Sequence, residues 1–338
     1  MSAERFFVVG GAGFIGSHLV DRLVERGPVT IYDNLSVGRH EWVVPHLDSG
    51  RARLVVGDAL DFEPLCAALR DHDVVFHLAA NPEARWGLEH TRLDLEQGTI
   101  ATYHALEAAR LAGARRFVLS SSGTVYGDTE RVCSEGDLGE LPISLYGASK
   151  LAGEALVSAF ASCFGLQAWI FRFGNVVGPR GTHGAALDFL RKLRAEQQRL
   201  EAAGPAATPV QAELEVLGDG RQSKPYLFVT DCVAGMLHGL DHAAEPLNVL
   251  NLTPPDETSV ARIAALCVAA SPLPSARIRY TGGARGWAGD VPRSRMSPER
   301  MAALGFRVRY SSDEAVSRAV SALAREVFAS TQSPAAAP

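Results

Sequence analysis

Several kinds of feature are scarce or missing in this chain, and each absence closes off a class of function. Its five cysteines (Cys66, Cys133, Cys163, Cys232 and Cys267) are odd in number and scattered, with no Cys-x-x-Cys pair. They give no case for a disulfide framework or a zinc site and read as small hydrophobes for the interior. The ten histidines fall without metal-ligand spacing, so no metal is expected. Lysine and arginine total 33 against 38 aspartates and glutamates, a net charge of -5 with a pI near 6.1. There is thus no basic stripe to neutralise a phosphate backbone, and nucleic acid is not expected as a partner. No apolar run reaches the roughly 18 to 20 residues of a bilayer span, and the N-terminus enters its first strand without a signal-peptide pattern. The expectation is no membrane association and a cytoplasmic location.

What is present is a chain of 338 residues, 47% hydrophobic and 21% charged, enough for one large or two modest domains. Behind the apolar run Phe6-Phe7-Val8-Val9 comes Gly10-Gly11-Ala12-Gly13-Phe14-Ile15-Gly16, opening an apolar-periodic stretch that ends near Arg26. Strand, glycine turn and helix in that order suit a dinucleotide: a side chain would hold a pyrophosphate away from the backbone N–H groups and the positive end of the helix. Glycines also make plain turns, so the pattern alone is weak. Asp33, closing the run Val29-Thr30-Ile31-Tyr32, strengthens it, since an acid there can bond the ribose hydroxyls and repel a 2'-phosphate. NAD is therefore favoured over NADP.

Further short strands are read at Arg53 to Val56, Val74 to Leu78 and Phe117 to Leu119, separated by helices at Leu65 to Leu69, Leu95 to Leu111 and Tyr146 to Phe164. This alternation predicts an α/β, Rossmann-like, doubly wound parallel sheet with a smaller C-terminal substrate-binding lobe. The expected division is 1–178, with a returning segment near 222–250, for the cofactor domain, and 179–221 with 251–328 for the lobe. Glu201 to Pro209 reads as a mobile surface insertion, and 329–338 as a disordered tail.

Tyr146-Gly147-Ala148-Ser149-Lys150 opens an apolar helix, where residues four apart share a face. A neighbouring ammonium lowers the pKa of a phenol, so Tyr146 can take a proton from an alcohol with Lys150 as the tuning charge. Lys150 can also hold the nicotinamide ribose. An aromatic and a lysine at this spacing often just pack, and serines at a strand end often just form turns. The combination with Ser120-Ser121-Ser122-Gly123-Thr124-Val125-Tyr126-Gly127, at the end of the fifth strand, is what carries the reading.

With these residues in place, nearly the whole chain resembles the extended short-chain dehydrogenase/reductase family, in particular its NAD-dependent nucleotide-sugar epimerases and dehydratases, and most of all UDP-hexose 4-epimerases. The likeness lies in Gly10 to Gly16, Asp33-Asn34-Leu35-Ser36, Gly57-Asp58, His77-Leu78-Ala79-Ala80, the serine-rich segment, Tyr146 to Lys150, and Arg172 to Arg180. It implies that Gly10, Gly13, Phe14, Ile15, Gly16, Asp33, Asn34, Ser36, Asp58, Ala59, Leu78, Ala79, Ala80, Tyr146 and Lys150 bind NAD, with Asp58 at the adenine. It implies Ser122, Thr124, Tyr146 and Lys150 as the catalytic set, Ser122 at the sugar oxygen and Asn175 at the phosphates. The helices Leu95 to Leu111 and Tyr146 to Phe164 form a dimer interface in relatives, so a homodimer is expected.

Relatives that eliminate water or carbon dioxide carry an acid before Val-Tyr-Gly, because proton transfer at carbon or to a leaving hydroxyl needs one. Here Gly123 and Thr124 stand there. The resemblance therefore implies 4-epimerisation of a UDP-hexose or UDP-hexuronate through a transient 4-ketone; dehydration, decarboxylation and a non-catalytic NAD-binding protein are the alternatives. Lys224 replaces the usual arginine at the nucleotide, and Leu95 an asparagine common in relatives. Ala84-Arg85-Trp86 resembles a stretch of UDP-glucuronate epimerases in which Arg85 can pair with a sugar carboxylate, although Thr182-His183-Gly184 does not match their next loop. His183, Arg285, Arg293 and Arg295 complete the candidate substrate contacts.

Overall fold

The computed structural model describes residues 3–137, 140–203, 211–291 and 293–329. Seven short strands, β1 (Phe6–Val9), β2 (Val29–Asp33), β3 (Ala52–Val56), β4 (Val74–His77), β5 (Arg116–Ser122), β6 (Gln167–Phe173) and β7 (Leu247–Leu252), form one sheet. Every pairing is parallel, in the spatial order β3-β2-β1-β4-β5-β6-β7. The chain runs outward one way from β1 and then restarts the other way from β4. A crevice consequently opens at their carboxyl ends, where such sheets take their ligands.

Helices sheathe both faces: α1 (Phe14–Leu23), α2 (Phe62–Leu69), α3 (Ala101–Ala112), α4 (Leu145–Phe164), α5 (Ala185–Ala203), α6 (Val229–His242), α7 (Val260–Ala270) and α8 (Ser312–Ala329). Leu19 and Leu23 of α1 and Val233 and Met236 of α6 pack on one face with Phe6, Val8 and Phe76. Leu65 of α2, Leu106 of α3 and Val157 of α4 cover the other with Phe7, Val9 and Phe117. Because both faces are buried, β1 reads as an unbroken apolar run and β2 and β4 as mostly apolar ones, with Thr30, Asp33 and His77 as their polar members. Leu190 and Leu193 of α5, Ile263 of α7, and Val316 and Leu323 of α8 enclose a second core around Leu214 and Val216. Each such side chain contributes about 1.5–3 kcal/mol when fully buried, so packing holds this lobe together more than helix propensity does.

The two strands nearest the β7 edge, β6 and β7, were not singled out in the sequence, and the sheet keeps Asn251 and Leu252, which were expected in the lobe. Residues 201–203 continue α5 and Ala329 ends α8, so neither belongs to the expected insertion or tail. The remainder of both segments, 204–209 and 330–338, lies outside the described residues. The expected helix from Leu95 begins instead as a π turn, Leu95–Ile100, before α3 takes over. Three cysteines are buried, Cys66 is half-buried, and Cys163 is exposed against expectation.

Candidate active site

The glycine turn packs too tightly for side chains. Gly10 sits at φ +79°, and a Cβ on it would lie 2.6 Å from the Ala79 nitrogen; one on Gly16 would lie 2.1 Å from the Gly10 carbonyl. Nothing but glycine lets α1 approach β1 and β4 this closely. No side chain caps α1 and its first turn holds no acid, leaving the leading N–H groups for an anion. Asp33, at the end of β2, is 7% exposed and accepts from the Ala12 and Leu35 N–H groups at 2.9 Å each. Burial pushes its carboxyl above the usual range while those N–H groups pull it back. Asn34 donates to Asp58 at 2.9 Å and accepts from both the N–H and hydroxyl of Ser36, which ties the β2 and β3 ends together. Leu78 and Ala79 anchor to the Val9 carbonyl at 2.9 and 3.1 Å. The bare glycine cradle, the open helix end and the acid at β2 fit a dinucleotide.

These residues line one cleft of about 820 Å3, shared with Ala59, Ala80, Arg85, Ser122, Thr124, Tyr146, Lys150, Asn175, His183 and Lys224. Arg285 is not among its walls; it pairs instead with Asp128 at 2.6 Å. Arg295 is taken by Glu257 at 3.0 Å, and neither it nor Arg293 reaches the cleft. The lobe segment they flank presents Gly286, Trp287 and Asp290 to the cleft.

At the carboxyl end of β5, Ser122 Oγ accepts from the Thr124 N–H at 3.2 Å and hydroxyl at 3.0 Å. Ser144 caps α4 by accepting from the Gly147 N–H at 3.1 Å, which places Tyr146 in the first turn beside Ser122. One turn on, Lys150 Nζ lies 5.7 Å from the Tyr146 ring centroid and donates to the Ser120 carbonyl at 2.9 Å. Burial, with the charge of Asp94, pushes the Tyr146 phenol up to about 12 against the hydrogen bond from Ser122. Burial pushes Lys150 down to about 8, with Asp94 and Glu154 opposing it. The expected lowering of Tyr146 by Lys150 is not what the structure shows: desolvation and the Asp94 carboxylate, which the sequence did not single out, raise the phenol, and the group that lowers it is Ser122. Behind Lys150, the buried His77 is pushed down to about 3 by burial and by the Lys150 charge, so it stays neutral.

Further arrangements were not foreseen. Glu154 binds Arg172 through hydrogen bonds of 2.6 to 3.2 Å and accepts from Ser121, and Arg172 reaches the Tyr126 hydroxyl at 2.8 Å, bracing α4 against β5 and β6. Arg85 is gripped by Glu83, and Lys224 by Asp290 at 2.7 Å, so both candidate substrate cations already hold carboxylates. A Cβ on Gly123 would lie 2.8 Å from Met296 Sδ and 3.0 Å from Ser294 Oγ, so the position is filled by its neighbours. His183 pairs with its neighbour Thr182 at 3.0 Å.

The family follows from the comparisons. The model of the NAD dependent epimerase/dehydratase family matches residues 6–252. This chain belongs to that family. It is 37% identical to a UDP-galactose 4-epimerase of known structure, with a TM-score of 0.81 over 95% of this chain and 99% of the other. It is 33% identical over 237 residues to the UDP-glucose 4-epimerase of Mycolicibacterium smegmatis, covering 68% of this chain and 71% of that one. It is also 31% identical over 274 residues to a UDP-N-acetyl-alpha-D-glucosaminuronate decarboxylase of Bacillus cytotoxicus, covering 77% and 78%.

Proposed function

We propose that this chain interconverts 4-epimers of a UDP-sugar with NAD, that its sugar is a neutral hexose, and that it works as a homodimer. The observation that carries the reaction is the set Ser122, Thr124, Tyr146 and Lys150 at the carboxyl end of β5, with no acid at 123 or 124 and with the Met296 and Ser294 side chains packed against Gly123. Elimination and decarboxylation need that acid, whereas moving a hydride off and back onto one carbon does not. NAD held by the glycine turn and Asp33 would supply the hydride acceptor and donor for that carbon. Tyr146 takes the proton of the 4-hydroxyl and gives it back, Ser122 and Thr124 hold the oxygen, and Lys150 keeps a positive charge beside the phenol. Residues 1–178 and 222–250 serve the cofactor, and the lobe serves the nucleotide sugar. Gly10, Gly13, Phe14, Ile15 and Gly16 would take the pyrophosphate, Asp33 the ribose, and Asn175 and Lys224 the substrate phosphates.

Neutral sugars are favoured because Arg85, the arginine that lines the cleft among the described residues, already has its carboxylate in Glu83. The dimer is supported by Tyr103 and Leu111 of α3 and Phe164 of α4, all exposed on the two alanine-rich helices. Incubation with UDP-glucose, UDP-galactose and UDP-glucuronate, followed by NMR, tests the reaction. The expected product is the 4-epimer of each neutral sugar with no net change in NADH absorbance. Release of carbon dioxide or water would replace this reading with decarboxylation or dehydration.

A further inference from the structure

Asp94 ends the short helix Thr91–Asp94 immediately before the π turn and is 1% exposed. Its Oδ1 accepts from Asn81 Nδ2 at 3.0 Å. Its Oδ2 is buried with no hydrogen-bond partner among the described residues. That bare oxygen abuts Gly87, where a Cβ would lie 2.3 Å from it. A buried carboxylate oxygen left unpaired is costly, and such a cost persists where the charge acts on something beyond its own bonds.

Two groups feel that charge, and both belong to the reacting set. A Cβ on Gly87 that would meet Asp94 Oδ2 would also lie 3.7 Å from Leu145 Cβ, one residue before Tyr146, so the carboxylate faces the start of α4. Burial is the larger cause of the raised Tyr146 phenol and the Asp94 charge adds to it, while at Lys150 Asp94 opposes burial and favours the ammonium. Burial also raises the Asp94 carboxyl, with the Asn81 hydrogen bond and the Lys150 charge pulling it back. Glu154 also faces Lys150, but its oxygens are engaged by Arg172 and Ser121, so Asp94 is the carboxylate with an oxygen to spare. From the segment after β4, Asp94 meets the neutral Asn81 amide, while Glu83 there is turned to Arg85; Gly87 offers only backbone. Asp94 also stands next to Leu95, where relatives commonly have asparagine.

We infer that Asp94 is a positioning residue that sets how protons divide between Tyr146 and Lys150. With the carboxylate present the pair is held as phenol and ammonium, so it begins each cycle in one defined protonation state. This inference rests on the reading of Tyr146 as the proton-transfer group.

Asp94→Asn keeps the shape and the acceptor for Asn81 but removes the charge. Losing the anion disfavours the ammonium and favours the phenolate, so both groups titrate at lower pH. In the NAD-loaded enzyme acting on UDP-glucose, both limbs of the kcat/KM profile are expected to move down together by about one pH unit, with KM little changed. Independently of turnover, the tyrosinate absorbance of Asp94→Asn, taken as the difference from its Tyr146→Phe counterpart, is expected to have a lower midpoint than the same difference in the parent. If Asp94→Asn does not fold, Asp94→Ala removes the charge without adding a donor and undergoes the same two measurements. Superimposed limbs and midpoints, with only a change in Tm, would reduce Asp94 to a structural residue and overturn the inference. If the parent turns over no UDP-sugar, the functional reading fails, while the tyrosinate titration still decides the role of Asp94.

Discussion

Both carboxylate oxygens of Glu83 bond the guanidinium of Arg85, at 3.0 and 2.8 Å, inside the cleft that holds Ser122 and Tyr146. An acidic sugar must compete with Glu83 for that fork, and a bidentate pair of this kind is among the stronger polar contacts. Glu83→Gln keeps the volume and gives up the charge. We expect it to raise kcat/KM for UDP-glucuronate about tenfold while changing that for UDP-glucose little. Side-by-side initial rates by NMR check this, and a parent enzyme that already prefers the uronate would contradict the neutral-sugar assignment.

Tyr146→Phe deletes the phenol and leaves the ring, so folding and NAD binding should survive. Loss of a general acid–base group lowers turnover by about 10²- to 10⁴-fold. Single-turnover rates with radiolabelled UDP-galactose measure the drop, and a loss of less than about tenfold would take the proton transfer away from Tyr146.

Gly16→Ala sets two effects against each other. Alanine in a helix gains about 1 kcal/mol over glycine. Its Cβ, however, would lie 2.1 Å from the Gly10 carbonyl and 2.8 Å from the Gly11 Cα, both backbone atoms that cannot swing aside. The overlap costs about 1–3 kcal/mol and pushes the turn open. The expected outcome is a lower Tm together with at least about tenfold weaker NAD binding, by thermal melts and fluorescence titration.

Lys150 makes stability depend on pH with a definite sign. Its folded pKa of about 8 lies below the ordinary 10.5, so between those values the unfolded chain binds more protons than the folded one. Burying the ammonium therefore costs stability below about pH 8, and the cost is relieved as pH rises towards 10.5. Lys150→Met carries no such cost. We expect its stability advantage over the parent to be largest near pH 7 and to shrink steadily to pH 10, read from melts across that range; a constant difference would show that Lys150 does not titrate there.

The parts of this molecule that were legible in the sequence are those built from neighbours in the chain. The glycine turn, Asp33 at the end of the next strand, and the four-residue step from Tyr146 to Lys150 each depend on one element or one crossover, and spacing encodes them directly. β6 and β7 mix apolar residues with Gln167, Arg172, Asn248 and Asn251 and keep no strict alternation, so neither stands out as a strand by its pattern. The family resemblance suggested that Arg285, Arg293 or Arg295 binds the diphosphate, but the partner of Arg285, Asp128, is 157 residues away, and only the fold decides that pairing. The same holds for Lys224 and Asp290, 66 residues apart. Glu83 was two positions from a residue already under consideration, and Asp94 stood beside the noted departure at Leu95; a carboxylate next to a missing asparagine was the available signal for it.

The π turn at Leu95–Ile100 spends one residue more than an α turn would over the same rise. Removing a single residue there would let the backbone relax to regular winding and rotate everything ahead of it by about 100° around the helix axis. Asp94 would swing out of line with α4, and Gly98, whose Cα now backs directly onto Ser149, would lose that seat. The placement of Asp94 against α4 is in this sense indexed by a count of residues on a neighbouring element, and the same deletion would also move Leu93 and Gln97 in the cleft wall.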